Sequence, residues 1–150
     1  LSLRPATPAP GEAVLTLLDV GQGLSAIVRT RNHTLVYDTG PAFGSDFDTG
    51  RAVVSPYLRY AGVRYINRLV VSHGDNDHIG GADSLLREYP TADVLTSVPT
   101  AFGDRAVQHC RQGMSWTWDG VDFEILHPAP AAQHSALPVH DQSHLLHGRM

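Results

Sequence analysis

Leu69–Gly81 reads LVVSHGDNDHIGG. Two histidines and two aspartates fall within six positions, His73, Asp75, Asp77 and His78. An apolar run precedes them and a glycine pair follows. The run, taken from Tyr65 to Ser72, is nearly all apolar in its second half, which predicts an interior strand covered on both faces. The stretch Gly81–Tyr89 (GADSLLREY) then predicts a helix, closed by Pro90. A loop at the carboxyl end of a buried strand is where α/β folds place their sites. In extended backbone, residues two apart point the same way. His73 and Asp75 can therefore share one ion, while Asp77 and His78 face elsewhere and can serve a second. Imidazole with carboxylate suits zinc, manganese or iron better than calcium. A calcium-binding EF-hand is excluded: counted from Asp75, Ile79 and Leu86 stand where oxygen ligands are required. Asp, Asn and Gly also favour plain turns, but four potential ligands at this spacing exceed what a turn needs.

Working outward, Ala13–Val20 (AVLTLLDV), Ser25–Thr30 (SAIVRT) and Thr34–Gly40 (TLVYDTG) predict a meander of strands. The segment PAFGSDFDTG reads as a polar loop. Asp48 or Thr49 is placed to cap a helix starting near Arg51. That helix carries apolar residues at Val53, Val54, Tyr57, Leu58 and Ala61, with Pro56 kinking or restarting it behind Ser55 and Gly62 ending it. Ala92–Val98 predicts a strand. Ser115–Leu126 alternates on both sides of Asp119-Gly120, a strong hairpin signal. Residues 1–12 read as a Pro/Ala linker, 13–128 as the domain, and 129–150 as an irregular tail. The layout is mixed α/β, helices packing on a sheet.

The chain has 150 residues, 42% of them apolar and 17% charged, a globular composition. Its 11 basic residues are all arginine and the net charge is −4, against a protein that holds nucleic acid by a broad basic surface. A nuclease whose ions meet the phosphate remains open. The single cysteine, Cys110, has no internal disulfide partner and excludes a CxxC zinc site. No apolar run reaches the roughly 18 residues of a membrane span.

The loop SHGDNDHIGG resembles the metal motif of the metallo-β-lactamase superfamily, usually H-x-H-x-D-H, with Asp75 where the second histidine is usual. With LLDVGQG, YDTG and PYLRYAGV preceding it in order, and SWTWDGVDFEILHP following, it resembles one branch: the C-terminal domain of the ComEC/Rec2 DNA-internalisation competence family. The resemblance implies a metallo-β-lactamase-like αββα sandwich. It implies two divalent ions, zinc or manganese, the first on His73 and Asp75, the second on Asp77 and His78. Asp77 would also orient or deprotonate the attacking water, Asp38 would support the site from behind, and Asp19 and Gln22 would lie at its edge. It implies a membrane channel in the same parent protein as partner, with this domain in the aqueous phase on the outer side of the plasma membrane. The implied function is hydrolysis of the DNA strand that does not enter the cell. The family's later Gly-Asp and His-rich motifs do not follow; VHDQSHLL only faintly matches a later family strand. The expectation is therefore the N-terminal part of the sandwich, a fragment with weak or partial metal binding.

Other readings compete. Asp-Thr-Gly occurs at Asp38 and again at Asp48, but an aspartic protease needs two symmetry-related halves sharing one proton, and these flanks differ. Arg51, Arg59, Arg64 and Arg68 lie among Tyr57, Tyr60 and Tyr65, a composition that can contact single-stranded DNA or line a solvated face. Trp116 and Trp118 share one strand face and are expected to pack. His109-Cys110 reads as a surface histidine beside a buried cysteine. His134, His140, His144 and His147 have no clear role. The functional alternatives to a nuclease are a non-catalytic module that assembles or gates the channel, and a metallo-hydrolase for a small substrate.

Overall fold

The computed structural model describes residues 4–129. The tail from 130, with VHDQSHLL and the four histidines above, lies outside them.

Three strands open the fold as an antiparallel meander: β1 (Val14–Leu17), β2 (Ala26–Arg29) and β3 (Thr34–Tyr37). A short hairpin follows, β4 (Ala42–Phe43) with β5 (Phe47–Asp48), where the sequence predicts only a polar loop. Gly50–Val54 form a π-helical turn that runs into α1 (Ser55–Tyr60). Then come β6 (Ile66–Val71), α2 (Asn76–Ile79), α3 (Ala82–Glu88) and β7 (Thr91–Thr96). A 3-10 turn at Pro99–Phe102 leads to β8 (Gln108–His109), and β9 (Ser115–Trp118) and β10 (Val121–Glu124) make the final hairpin. Six strands form one sheet in the order β1-β2-β3-β6-β7-β8, with β3, β6, β7 and β8 parallel. Parallel neighbours need a crossover; α1 supplies it between β3 and β6, and α2 with α3 between β6 and β7.

The expected interior strand is β6, between β3 and β7. Its Leu69 and Val71 face the helices and its Val70 faces the other way, the two-residue period of a strand. On the helical side they meet Leu58 of α1 and Ala82, Leu85, Leu86 and Tyr89 of α3 and its end, spaced i, i+3, i+4, i+7. Each fully buried leucine there contributes about 2 kcal/mol. Gly62, at φ +75°, ends α1 as the sequence predicts, and Val63 N donates to Leu58 O at 2.9 Å to close the last turn. At the other end, Asp48 caps: its Oδ1 accepts from Arg51 N at 2.9 Å and from the Ser84 hydroxyl. Thr49 does not cap but donates to Thr39 O and Pro41 O, and Ser55 donates to Glu88 instead. The two Asp-Thr-Gly copies thus do unrelated work.

The opposite face of the sheet carries Leu35, Val70, Leu95 and Cys110, covered by Trp116, Trp118 and Phe123 of the β9–β10 hairpin. Trp116 stacks on Phe123 at 5.1 Å, so both tryptophans are packing residues as expected. The cover is partial. Leu15 and Leu17 of β1 are 63% and 69% exposed, and an apolar groove of about 340 Å³ runs between β1–β3 and the hairpin. The architecture is a helical layer on a mixed sheet with one hairpin beginning the far side, the N-terminal portion of a sandwich. No helix among the described residues is long and apolar enough to cross a membrane.

The hairpin is fastened at its turn. Asp119 and Gly120 take φ of +53° and +84°, the turn that Asp-Gly predicts. The Asp119 carboxylate accepts from Thr30 Oγ1 (2.6 Å), Asn32 N and Nδ2 (both 2.7 Å), and faces His33 Nδ1 (2.9 Å). The hydrogen bonds from His33 and then Thr30 hold this carboxyl well below the usual carboxylate range. A depressed folded pKa stabilises above the unfolded value and loses that contribution as pH falls. Asp119→Asn is therefore expected to lower Tm at neutral pH. The gap to the wild-type protein closes as pH drops below about 4, read by thermal denaturation across pH 2–7.

Candidate functional site

The His/Asp loop leaves the carboxyl end of β6, beside the end of β3. Asp38, the residue after β3, continues the parallel ladder through its N–H to Val70 O at 2.8 Å. It adopts φ +55°, a left-handed conformation that aspartate tolerates, and its side chain is fully buried. Oδ1 accepts from Ser72 N at 2.7 Å, and Oδ2 accepts from Ser72 Oγ at 2.7 Å. His78 Nδ1 lies 2.7 Å from Oδ2. A carboxylate only accepts, so the Nδ1 facing Asp38 is the donor of that pair, and Nε2 points from the opposite side of the ring toward Asp77.

The loop backbone is fixed with equal economy. Asp75 N lies 3.3 Å from His73 Nδ1, and the single turn of α2 starts at Asn76. His78 O accepts from both the N–H and the hydroxyl of Thr39, at 2.8 and 3.0 Å. Asp77 O accepts from Leu24 N at 3.1 Å. Asn76 clips the loop to β4, accepting from Ala42 N (3.2 Å) and donating to Ala42 O (2.9 Å). Gly81, second of the glycine pair, packs directly on the backbone of Gly50; a side chain at either position would strike the other.

The four candidate ligands are brought together in two pairs. His73 Nδ1 is 3.4 Å from Asp75 Oδ2, His78 Nε2 is 3.5 Å from Asp77 Oδ2, and the imidazole centroids are 3.8 Å apart. His73, Asp75 and Asp77 are open to solvent; His78 is 18% exposed. Each pair joins imidazole to carboxylate, donors that suit zinc or manganese. No three such donors converge at ligand spacing among the described residues. The residues present thus offer two imidazole–carboxylate pairs, fewer donors than a complete metal site needs.

The remaining candidates are placed unequally. Asp19 and Gln22 are exposed on the loop between β1 and β2, whose Leu24 bonds Asp77; Asp19 accepts from Gly21 N, at 3.1 Å. Arg51, Arg59 and Arg64 do not gather. Arg51 is exposed beside Asp48. Arg59 is engaged by Ser55 (2.6 Å) and Glu88 (3.4 Å). Arg64 lies at the amino end of β6, away from the loop. Arg68 belongs to the packing: it chelates Asp93 at 2.7 Å and its guanidinium sits 4.1 Å over Trp116. Ser72, Thr39 and Asn76 are the working residues that sequence reasoning missed. Ser72 and Asn76 stand inside the quoted stretch, but nothing local shows that their partners are Asp38 and Ala42.

A cleft of about 500 Å³ adjoins the loop, lined by Tyr37, Ser72, Ser97, Cys110 and His127. Burial, and then the charge of Asp38, push the Tyr37 hydroxyl pKa up. Burial does the same to the Cys110 thiol, against the partial pull of Arg68. Both stay protonated at neutral pH, so the thiol is not a ready nucleophile.

Residues 18–148 match the metallo-beta-lactamase superfamily. The chain is 40% identical over 129 residues to competence protein ComA of Neisseria gonorrhoeae, covering 86% of this chain and 17% of that protein. It is 34% identical over 127 residues to recombination protein 2 of Haemophilus influenzae, covering 85% and 15%. ComE operon protein 3 of Bacillus subtilis is 31% identical over 115 residues, covering 68% and 14%. The chain spans between 14% and 17% of the length of these three relatives.

Removing the Asp38 carboxylate strands three buried or half-buried donors. Asp38→Ala is expected to cost about 3 kcal/mol in chemical denaturation. In the folded remainder, nitrogen shifts of His78 should show Nδ1–H no longer dominant.

Proposed function

The chain belongs to the metallo-beta-lactamase superfamily, and from that membership we propose that it is a metal-dependent hydrolase domain of a DNA-uptake protein. Its substrate is the phosphodiester backbone of the strand left outside the cell. The observation that carries the reading is the conjunction of the Asp38-oriented His/Asp loop with 34–40% identity to proteins named for competence and recombination. The short span relative to those proteins fits a domain of a larger membrane protein, facing the aqueous phase outside the plasma membrane and adjoining the channel part.

In this reading His73 and Asp75 hold one divalent ion, Asp77 and His78 the second, and further ligands come from outside the described residues. The ions, zinc or manganese, supply Lewis-acid polarisation of the phosphoryl group. The protein's own part is positional. Asp38 holds the His78 ring through Nδ1 and leaves Nε2 turned toward Asp77, a common support for a metal-binding histidine. Asp77, half exposed at the loop edge, accepts the proton of the attacking water. Phe43 and Phe47, exposed and 5.8 Å apart on the hairpin clipped to Asn76, offer a stacking surface for bases beside the loop.

A second reading, a non-catalytic module that helps assemble or gate the channel, draws on the incomplete donor set. Two measurements separate them. The full-length parent protein with manganese or zinc should cleave DNA, and Asp77→Asn should reduce the rate about 1,000-fold. Single- and double-stranded DNA left intact under those conditions overturns the nuclease reading. For this chain alone, calorimetric titration should show weak or sub-stoichiometric binding. Tight uptake of two ions would contradict a partial donor set.

A further inference from the structure

We infer that residues 4–12 form a strap whose docking holds the β9–β10 hairpin against the sheet, so that releasing the strap opens the cleft beside the His/Asp loop. The segment is bound along its length. Arg4 Nη1 stands 3.0 Å from where a Cβ on Gly62, at the end of α1, would lie. Ala6 O accepts from Arg29 Nη2 of β2 at 3.2 Å, and Pro8 is buried. Glu12 N donates to Ala9 O at 3.0 Å and Ala9 N donates to the Glu12 carboxylate at 3.1 Å, closing a turn. Gly11, inside that turn, takes φ +80° and donates its N–H to Asp119 O at 2.7 Å. Its backbone lies against Gly120, whose Cβ, if it had one, would come within 3.4 Å. The strap thus runs from the helical layer, past the amino end of the sheet, to the hairpin turn.

The hairpin needs such a fastening. Its two strands pair only with each other, and an isolated two-stranded hairpin is marginal in water. Among the described residues, the Gly11–Asp119 bond is the one backbone hydrogen bond that joins residues 115–124 to another part of the chain. The other attachments are made by side chains. Asp119 bonds Thr30, Asn32 and His33, Trp118 stacks on His33 at 4.9 Å, and Arg68 lies 4.1 Å over Trp116. All but the last are at the turn end, where the strap arrives.

The far end of the hairpin runs on through Glu124–Pro128, which wall the cleft of about 500 Å³ opposite Tyr37, Ser72, Ser97 and Cys110. Strands of four residues span only about 13 Å, so a hairpin freed at its turn tilts as one piece and carries that wall with it. Cys110, the single cysteine, is 4% exposed in the cluster that Trp116 and Phe123 cover. Its thiol therefore reports when the cover lifts. Movement at the amino end of the domain is in this way coupled to access beside the His/Asp loop, and the coupling does not depend on hydrolysis there.

The test is a Gly11→Val variant of the full chain. A Cβ at Gly11 meets nothing within 4 Å, so the change acts on the backbone alone, where a β-branched residue resists positive φ. Gly11→Asn, which tolerates that conformation, is the control. Two readouts are taken well below the unfolding transition: the rate of Cys110 labelling by a maleimide, and amide hydrogen exchange. Gly11→Val is expected to raise Cys110 labelling and hairpin exchange about tenfold, with the Leu69 and Leu85 amides unchanged. Gly11→Asn is expected to match the wild type. In the wild-type chain the Gly11 amide and the hairpin amides should exchange with one common opening free energy, a check that holds even if the valine variant fails to fold. Wild-type rates in Gly11→Val, acceleration spread equally to Leu69 and Leu85, or separate opening of Gly11 and the hairpin in the wild-type chain overturns the inference.

Discussion

A carboxyl group sealed from water, that of Asp38, is the constraint on which the site depends. Such a group survives burial only when its lone pairs are filled. Here they are filled by the Ser72 backbone, the Ser72 hydroxyl and the His78 ring, all at 2.7 Å. Those partners belong to the end of β6 and to α2, while Asp38 ends β3. One side chain therefore ties together two parallel strands, the course of the loop between β6 and α2, and the orientation of a histidine ring. The direct backbone contact of Gly81 with Gly50 brings α3 in behind the loop, where its leucines join the core.

The two faces of the sheet are unequally covered, and the difference orders the molecule. The helical side is closed by α1 and α3 over fully buried aliphatics. The other side is closed only where the β9–β10 hairpin reaches, held by Asp119 at its tip and by Arg68 beneath Trp116. Exposed Leu15 and Leu17 mark where cover stops. An apolar strip of this kind is a surface for association.

Local periodicity made much of this legible. The meander, the buried β6, the α3 helix and the Asp-Gly hairpin all follow from patterns within a dozen residues. The short pair β4–β5 and the strand β8 carry too few residues to show a period, whereas the change from the π-turn to α1 falls at Ser55-Pro56, where the sequence predicts a kink or restart. The site divides the same way. The four candidate ligands were visible as a cluster because they are adjacent. The hydrogen bonds of Ser72, Asn76 and Thr39 were not, because their partners stand 34 to 39 residues away. The arginine cluster misleads for a related reason: neighbours in sequence turn to different sides, so Arg68 packs inward and Arg59 meets Glu88. Arg29, in an unremarkable strand, ends with a buried guanidinium.

The 40-residue separation of Asp38 and His78 has a kinetic side. The meander and the terminal hairpin join near neighbours and can form early, whereas β3 and β6 must close a long loop before any contact rewards it. The carboxylate finds its donors only when that parallel pairing is complete. Formation of the His/Asp loop therefore waits on the non-local pairing of β3 with β6, whatever local structure precedes it.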